Sequence, residues 1–326
     1  MSVNPITSFQ DAQEEWDSIL RDSPAASIFL SPQWQEVWWE NFSAGREMAG
    51  FSVPAAGGGV DALASLSRLN NAIGFVGAPD TFDYNDFLVR PGFEETFYRT
   101  LLDVLEGWEW DDLRLDSLIE DSPTLAHLPE MARGRGYSVE IEYEDVTSGV
   151  SLPEDWDQFL GLLSKKDRHE LRRKLRRLDS QTDWRWYCLT TPQEVMGSFD
   201  SFLGLMRMSR TDKEEYMTPE RENFFRALSR RMAELDRIRL FFMEMDGDQV
   251  AASLCFDYGS ARLLYNSGYN PGLSYYSVGL LLHAMCVKDA IEKGLGYFDF
   301  LRGPEPYKAH LGGRQKSLYR MVVKRS

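Results

Sequence analysis

Charged and hydroxyl-bearing side chains cluster in one turn near the C-terminus, directly after a stretch that predicts a buried strand. Asp299 lies between Phe298 and Phe300, and a charge inside an apolar strand is costly unless it is paired. The turn supplies candidate partners and further reactive groups: Arg302, Glu305, Tyr307 and Lys308. A salt bridge that stabilises the turn would explain the cluster, and so would a ligand site at the carboxyl end of a strand.

These residue types suit the transfer of an acyl group from a thioester to an amine. That reaction needs aligned substrates, a deprotonated amine, a stabilised oxyanion and a protonated leaving thiolate. A tyrosine can protonate a thiolate, a lysine can hold an oxyanion, and a carboxylate can accept a proton. We therefore predict Tyr307 as general acid and Lys308 as oxyanion donor. Asp299 or Glu305 would orient or deprotonate the amine.

A second candidate feature is the junction between a glycine-broken loop and a helix predicted from about Val278 to Lys293. The first N–H groups of a helix have no partner inside it, and the helix dipole attracts anions. Gly279 leaves room for a diphosphate, although a glycine that packs against a strand is an equally good interpretation. The predicted cofactor-binding residues are Tyr276, Ser277, Val278, Gly279 and Leu280.

Other kinds of site leave no pattern in the sequence. The four histidines (His127, His169, His283 and His310) lack a nucleophile-elbow context, and there is no Walker loop, dinucleotide fingerprint or zinc pattern. The three cysteines (Cys188, Cys255 and Cys286) have no metal-ligand spacing. We therefore predict no metal. With no secretory signal and no apolar run of about 18 residues, we expect no membrane span and a cytoplasmic protein.

The charge is unevenly distributed. The formal net charge of −15 opposes nonspecific attraction to nucleic acid or anionic lipid. Residues 164–178 hold eight Lys and Arg against two acidic residues, a net of +6, so the remainder carries −21. This segment predicts a helix with Leu171, Leu175 and Leu178 on one stripe. Its basic face could be solvated and paired with acidic neighbours, bind an anion, or dock a partner.

The elements that must position these residues recur in two halves. In the C-terminal half, two strands flank an Asp246-Gly247 turn, and a third strand, a loop, a helix and a final strand follow. The N-terminal half repeats this order around residues 57–59. Duplication of one α/β unit explains the repeat, with a chance match of common elements as the alternative. We predict domains at 1–150 and 151–326, and only the second ends in the reactive turn.

Four stretches, in order, resemble a known family. They are FLSPQWQEVWWENF, DYNDFL, LSKKDRHELRRKLRRL, and SRTDKEEYMTPERENFF with the later DFLRGPEPYK. Together they are similar to the double-domain branch of the GNAT superfamily of N-acyltransferases. That branch contains CelD-like acetyltransferases and the Fem peptidoglycan-bridge aminoacyltransferases.

The resemblance implies a tandem duplication of GNAT-like domains, an α/β fold with mixed sheets flanked by helices. A substrate channel would run between the domains, and the non-catalytic first domain would shape the acceptor cleft. The CoA pyrophosphate would lie on the amides of residues 277–280, and Lys308 would match the lysine that Fem enzymes place near the transferred carbonyl. The expected substrate-binding residues are Arg302, Lys213, Tyr84, Asp86, Arg172 and Arg173.

Two departures from the family bear on the donor. GNAT enzymes typically have a Gln/Arg-x-x-Gly-x-Gly/Ala loop, of which SYYSVGL keeps only Gly279. The basic helix is short and the net charge negative, which favours acetyl-CoA or another acyl-CoA over aminoacyl-tRNA. We therefore predict an acyl-CoA N-acyltransferase acting on an amine, such as an amino sugar or a cell-envelope or polysaccharide precursor. The alternatives are an aminoacyl-tRNA-dependent Fem-type transferase and a non-catalytic binding protein of the same fold.

Overall fold

The computed structural model describes residues 2–10 and 12–325. The chain forms two compact units: one contains the residues up to Val146 and those from Lys316 onward, and the other contains Thr147–Gln315. The predicted division at 150/151 assigned the whole C-terminus to the second domain. The structure differs there, because the final strand belongs to the first unit.

The first unit alternates short strands with amphipathic helices. In chain order they are β1 (Asn4–Pro5), α1 (Gln13–Asp22), α2 (Pro32–Phe42), β2 (Glu47–Met48), β3 (Phe51–Pro54), β4 (Val60–Ala64), β5 (Leu66–Leu69), β6 (Ala72–Phe75), β7 (Leu88–Val89), α3 (Glu94–Glu106), β8 (Asp112–Ile119), α4 (Pro123–Gly134) and β9 (Ser138–Ser151). Helix α2 begins where Ser31 predicts a cap, because the Ser31 hydroxyl accepts the Trp34 N–H.

Two sets of strands pair in this unit. Strands β1, β3, β4 and β7 form one antiparallel sheet. In the other set, β2 pairs with β5 and β5 with β6, both antiparallel, while β6 runs parallel to β8. The apolar face of α3, with Phe97, Leu101 and Leu105, lies in the core of the unit.

The second unit carries longer elements. They are α5 (Trp156–Leu162), α6 (Lys165–Gln181), β10 (Trp184–Leu189), α7 (Pro192–Ser209), α8 (Thr211–Tyr216), α9 (Pro219–Glu234), β11 (Ile238–Met245), β12 (Asp248–Tyr258), β13 (Ala261–Tyr269), α10 (Val278–Glu292), β14 (Tyr297–Arg302) and α11 (Pro306–His310). The chain closes with β15 (Arg314–Lys324), which pairs antiparallel with β8.

Strands β10, β11, β12 and β13 pair antiparallel in that order, and β14 then runs parallel to β13. The β11–β12 hairpin has the two-residue turn that Asp-Gly predicts, with Asp246 at φ 53° and Gly247 at φ 91°. Helix α10 is buried along most of its length. Leu171 and Leu178 of α6 join the same core, which confirms the predicted leucine stripe.

The parallel pair is the clearest sign of duplication. Strands β6 and β8 in the first unit, and β13 and β14 in the second, are each connected through a segment that contains one helix. In each pair the second strand carries a bulge with a left-handed residue, Ser117 (φ 64°) or Leu301 (φ 59°). A repeated irregularity at the same point of the same motif supports duplication over a chance match.

Candidate active site

The parallel strands β13 and β14 separate before they end. Their paired residues stop at Leu263 and Asp299, whereas β13 continues to Tyr269 and β14 to Arg302. Beyond the last pair, the two strands border a gap instead of a hydrogen-bonded ladder. The gap opens at the carboxyl ends of the strands, where α/β sheets bind their ligands.

Lys213 lies on the β13 side of the gap. Its ammonium, carried by α8, donates to the carbonyl oxygen of Ser267 (2.5 Å) and to Oδ1 of Asn266 (3.2 Å). An ammonium has three N–H donors. One N–H of Lys213 therefore has no acceptor within residues 2–10 and 12–325. Burial and the nearby charge of Arg210 lower the pKa of Lys213 to about 8.

Asp299, on the β14 side, shapes the bulge. Its Oδ1 accepts the backbone N–H of Leu301 at 2.8 Å, and Leu301 is the residue with left-handed backbone. The side chain is buried. This contact gives Asp299 a structural role in the bulge, and its predicted proton-accepting role stays a prediction.

Lys308 fastens the turn that follows β14. Its buried ammonium donates to the carbonyl oxygens of Leu301 (2.8 Å), Arg302 (2.6 Å) and Gly303 (3.0 Å), and lies 2.9 Å from Oε2 of Glu305. These acceptors use all three of its N–H donors. The predicted role as oxyanion donor is therefore not supported, because no N–H of Lys308 is available.

Glu305 and Arg302 remain at the edge of the gap, both partly buried. Burial raises the pKa of Glu305, but its hydrogen bond to Lys308 and the charge of that ammonium outweigh burial and hold the pKa below its usual value. Glu305 is therefore an anion at neutral pH. Arg302 ends β14 and contributes its carbonyl oxygen to the Lys308 ammonium.

Tyr307 packs on an imidazole that the sequence analysis did not select. The ring centroids of Tyr307 and His283 are 4.6 Å apart, and Phe300 contacts Tyr307 edge-on at 6.2 Å. Burial raises the pKa of Tyr307 well above its usual value, so the phenol keeps its proton at neutral pH. A protonated phenol is the state that the predicted general acid requires.

His283 lies on α10 and is only 5% exposed. Neither ring nitrogen has a hydrogen-bond partner in the described chain. Burial, with the charges of Lys213 and Lys308, lowers the pKa of His283 to about 3, so the imidazole is neutral. The only signal in the sequence is a lone polar residue inside the apolar run LLLHAMCV.

The predicted junction forms the start of α10, and the first amides of that helix have no intrahelical acceptor. The N–H of Leu281 donates to the carbonyl oxygen of Ser277, so the amides of residues 278–280 precede the first intrahelical bond. Gly279 also has a packing reason, since a Cβ there would lie 3.0 Å from Cδ1 of Tyr269. Both interpretations of Gly279 therefore fit the same position.

Two basic side chains of α6 reach this junction. Lys174 donates to the Ser277 hydroxyl. Arg177 donates to the carbonyl oxygen of Tyr275 at 2.6 Å, with its guanidinium 4.2 Å from the centre of the Tyr275 ring. The basic face thus adds positive charge beside the amides that begin α10.

The predicted pair on α6 lies elsewhere. Arg172 and Arg173 are exposed, and Arg173 pairs with Glu170 at 2.6 Å. Lys174 and Arg177 follow Arg173 by one and four residues. At this spacing they flank the leucine stripe instead. Lys174 and Arg177 thus bond to the junction, whereas Arg172 and Arg173 lie on the exposed face and their substrate-binding role stays a prediction.

A cavity of about 310 Å³ lies beside the junction. Its lining combines apolar side chains with charged ones: Lys166, Asp167, Glu170, Leu171, Lys174, Leu280, His310 and Leu311. The volume lies at the small end of ligand pockets. Nδ1 of His310 lies 2.8 Å from Oδ1 of Asp167, so this carboxylate already has a partner within the lining.

The corresponding gap in the first unit is bridged by its own chain, beside a cavity of about 280 Å³ that Gly74, Arg114 and Ser117 help to line. The paired residues of β6 and β8 end at Gly74 and Arg114. Past them, Asn85 donates its backbone N–H to the carbonyl oxygen of Ser117 (3.0 Å) and its Nδ2 to that of Val76 (3.2 Å). One residue thus bridges the two edges that remain apart in the second unit.

Tyr84 and Asp86, predicted as substrate-binding, flank Asn85. Tyr84 packs edge-on against Phe29, with centroids 5.8 Å apart. The buried carboxylate of Asp86 accepts hydrogen bonds from three groups: the hydroxyls of Ser122 and Thr124 and the N–H of Phe87. Burial raises the pKa of Asp86 to about 6. These contacts give Asp86 a structural role and do not support substrate binding.

The described residues contain neither a membrane-spanning helix nor a metal cluster. No helix there has the length and apolar character to cross a membrane. No group of three or more His, Cys, Asp or Glu side chains in the same residues is placed to hold a metal ion.

Comparison with protein families identifies the second unit. Residues 165–309, from α6 through α11, match the family described as "Acetyltransferase (GNAT) domain". None of the curated proteins compared with this sequence matches it.

Solved structures extend the likeness to the whole chain. FemX has a TM-score of 0.68 at 12% identity, covering 98% of this chain and 97% of its own. L-PGS from Bacillus licheniformis scores 0.57 at 10% identity, with 96% and 91% covered. A tandem GNAT protein from the clavulanic acid biosynthesis pathway scores 0.54 at 11% identity, with 99% and 98% covered. At these identities the likeness concerns the fold alone.

The fold is thus α/β with a duplicated GNAT unit, as predicted. The second unit matches the GNAT acetyltransferase family over residues 165–309, and the whole chain shares its fold with FemX and with the tandem GNAT protein.

Proposed function

We propose that this protein is an N-acyltransferase that moves an acyl group from an acyl-CoA to a primary amine by direct attack. One observation carries the proposal: the gap between β13 and β14 lies in the same unit as a helix N-terminus flanked by Lys174 and Arg177. A polyphosphate suits the helix end, and a thioester suits the gap.

The donor would lie along α10. Its diphosphate would accept from the amides of residues 278–280, with Lys174 and Arg177 supplying positive charge. Leu171, Leu280 and Leu311 line the neighbouring cavity and could cover apolar parts of the donor.

Two residues beside the gap would carry out the proton transfers, one as base and one as acid. Glu305, an anion held by Lys308, would orient the amine and take its proton as the nitrogen attacks the thioester carbon. The carbon–sulfur bond then breaks, and Tyr307 gives its proton to the leaving thiolate. The proton lost by the amine replaces the one that Tyr307 gives up, so the products are an amide and a free thiol.

The charge distribution favours acyl-CoA over aminoacyl-tRNA. Outside residues 164–178 the chain carries −21, which repels a long polyanion. The tandem GNAT protein from the clavulanic acid pathway, whose structure was solved without AcCoA, shares the fold. A Fem-type transfer from aminoacyl-tRNA remains the alternative, since FemX shares the fold as well.

The acceptor side of the proposal rests on the family resemblance. It favours a CelD-like acetyltransferase acting on an amino sugar or on a cell-envelope or polysaccharide precursor. The expectation that the first unit shapes the acceptor cleft belongs to the same proposal. A non-catalytic binding protein of this fold would bind the donor and release no thiol.

Thermal unfolding with added acetyl-CoA, followed by a thiol-release assay with a panel of primary amines, tests the proposal. Acetyl-CoA at 100 times its Kd stabilises the fold by about 2.7 kcal/mol, which raises the melting temperature. We expect that shift together with amine-dependent thiol release. A shift without release identifies a binding protein, and response to charged tRNA alone identifies the Fem-type alternative.

A further inference from the structure

His283 is the buried polar group that the proposed proton transfers leave unused. The residue is only 5% exposed, yet neither ring nitrogen has a hydrogen-bond partner among the described residues. Burying a polar group without a hydrogen-bond partner destabilises a fold. Since Leu would fill such a place in an apolar helix without that cost, the imidazole requires an explanation.

The surroundings of His283 point to negative charge in its partner. Its ring lies against Tyr307, the proposed general acid, and the ammonium charges of both Lys213 and Lys308 act on it. Lys308 has no N–H to spare, because three carbonyl oxygens and Glu305 occupy it. The site is therefore electropositive but short of donors, and a neutral imidazole carries one N–H.

We infer that His283 donates a hydrogen bond to the oxyanion that forms on the acyl carbonyl. The assignment rests on the proposed function and replaces Lys308 in the role that the sequence predicted. The amine nitrogen attacks the carbonyl carbon, and the carbonyl oxygen takes the negative charge. The N–H of His283 and the remaining N–H of Lys213 donate to that oxygen. When the carbon–sulfur bond breaks, the carbonyl double bond re-forms and the negative charge leaves on sulfur, which Tyr307 protonates. Lys308 supports the site through its charge alone.

The first unit offers a matched comparison. His127 stacks on Tyr98, with centroids 5.8 Å apart, in a unit whose strand gap is bridged by Asn85. His127 is partly exposed and neither of its ring nitrogens is among the buried atoms without a partner. A histidine–tyrosine pair thus occurs in both units, but only His283 combines burial, unpartnered nitrogens and two flanking ammonium groups among the described residues.

The test compares His283→Leu, which keeps side-chain volume but has no N–H, with His283→Gln, which keeps a donor. His127→Leu is the control. We expect His283→Leu to melt at or above the wild-type temperature, because it removes the unpartnered nitrogens. Its kcat for thiol release from acetyl-CoA should fall about 100-fold or more, with KM nearly unchanged. His283→Gln should recover part of kcat, and His127→Leu should keep it.

A folded His283→Leu variant with kcat within about threefold of wild type overturns the inference, and so does equal loss in the Leu and Gln variants. In both cases the proposed function survives. If the wild type releases no thiol with any acyl-CoA, the proposed function fails and the inference with it. Should His283→Leu not fold, the wild type labelled with ¹⁵N-histidine decides: a ketone analogue of acetyl-CoA should shift the His283 ring resonances, and unchanged resonances overturn the inference.

Discussion

The gaps between parallel strands in the two units have similar backbone geometry, but different side chains lie beside them. Both lie between parallel strands, and both end at a bulge with one left-handed residue. In the first unit, Asn85 bridges the strands with its backbone and side-chain N–H groups. In the second, Lys213 bonds to the end of β13, Lys308 bonds to the end of β14, and His283 packs against Tyr307.

The difference separates the fold from the chemistry. A duplicated unit can keep its strands, helix and bulge while its own loop bridges the two strands. In the second unit, ionisable side chains are bonded to the ends of the corresponding strands. We therefore expect changes in the first gap to act on stability and changes in the second to act on turnover, with Lys308 as the informative exception.

Lys308→Ala should have the largest effect on stability. It leaves three buried carbonyl oxygens and Glu305 without their partner, which costs roughly 3–5 kcal/mol. Urea unfolding of the variant measures it. Lys316→Ala, which removes an exposed pair with Asp121, is the control and should cost under about 1 kcal/mol. Full stability with lost turnover would instead return Lys308 to the oxyanion role.

Charge reversal on α6 should separate its two faces. Lys174→Glu and Arg177→Glu each remove a cation that touches the start of α10, so the KM for acetyl-CoA should rise about 10- to 100-fold. Arg172→Glu with Arg173→Glu is the matched control on the solvated face, and its KM should change less than about threefold. Equal effects in the two sets would mean that α6 acts through its overall charge.

The burial of Asp86 should make the stability of the protein depend on pH. Its folded-state pKa of about 6 exceeds the ordinary value of 3.8, so the folded protein binds a proton that the unfolded chain does not bind between these values. The contribution of Asp86 to stability is therefore greatest below pH 4 and is lost as pH rises through 6. Between pH 7.5 and pH 4.5, the free energy of unfolding of the wild type should rise by about 2 kcal/mol relative to that of Asp86→Asn. A constant difference would show an exposed carboxylate.

Lys213 should produce a smaller, pH-dependent effect in the second gap. Because its pKa is lowered to about 8, its ammonium loses charge above that pH, and kcat should fall by up to about tenfold per pH unit. Lys213→Arg retains its charge, so the falling limb of the pH–kcat profile should move upward. If the falling limb of the profile does not move in Lys213→Arg, the limb reports the titration of another group.

Much of the fold follows from local sequence, whereas the roles within the site do not. Asp246-Gly247 predicts its hairpin, and the spacing of Leu171, Leu175 and Leu178 predicts the buried stripe of α6. These signals depend on neighbours in the chain. The stripe also places Lys174 beside the core, but which flank meets α10 depends on tertiary packing.

Tertiary contacts also decide which acidic and basic side chains of the turn are available for catalysis. Asp299 and Lys308 have the right types for catalysis, yet the bulge at Leu301 turns backbone groups toward both and occupies them. The opposite holds for His283, whose residue type gives no hint of a role. Only its folded surroundings show that its ring nitrogens lack a hydrogen-bond partner. Residue type alone could not distinguish an occupied polar group from an available one.

The central claim is that the gap between β13 and β14, and not the bridged gap between β6 and β8, accepts the acyl donor. A crystal structure of the protein with acetyl-CoA tests this most directly. We predict the diphosphate within hydrogen-bond distance, about 3 Å, of the amides of residues 278–280 and the thioester between β13 and β14. Acetyl-CoA bound between β6 and β8, or anywhere away from α10, would contradict it.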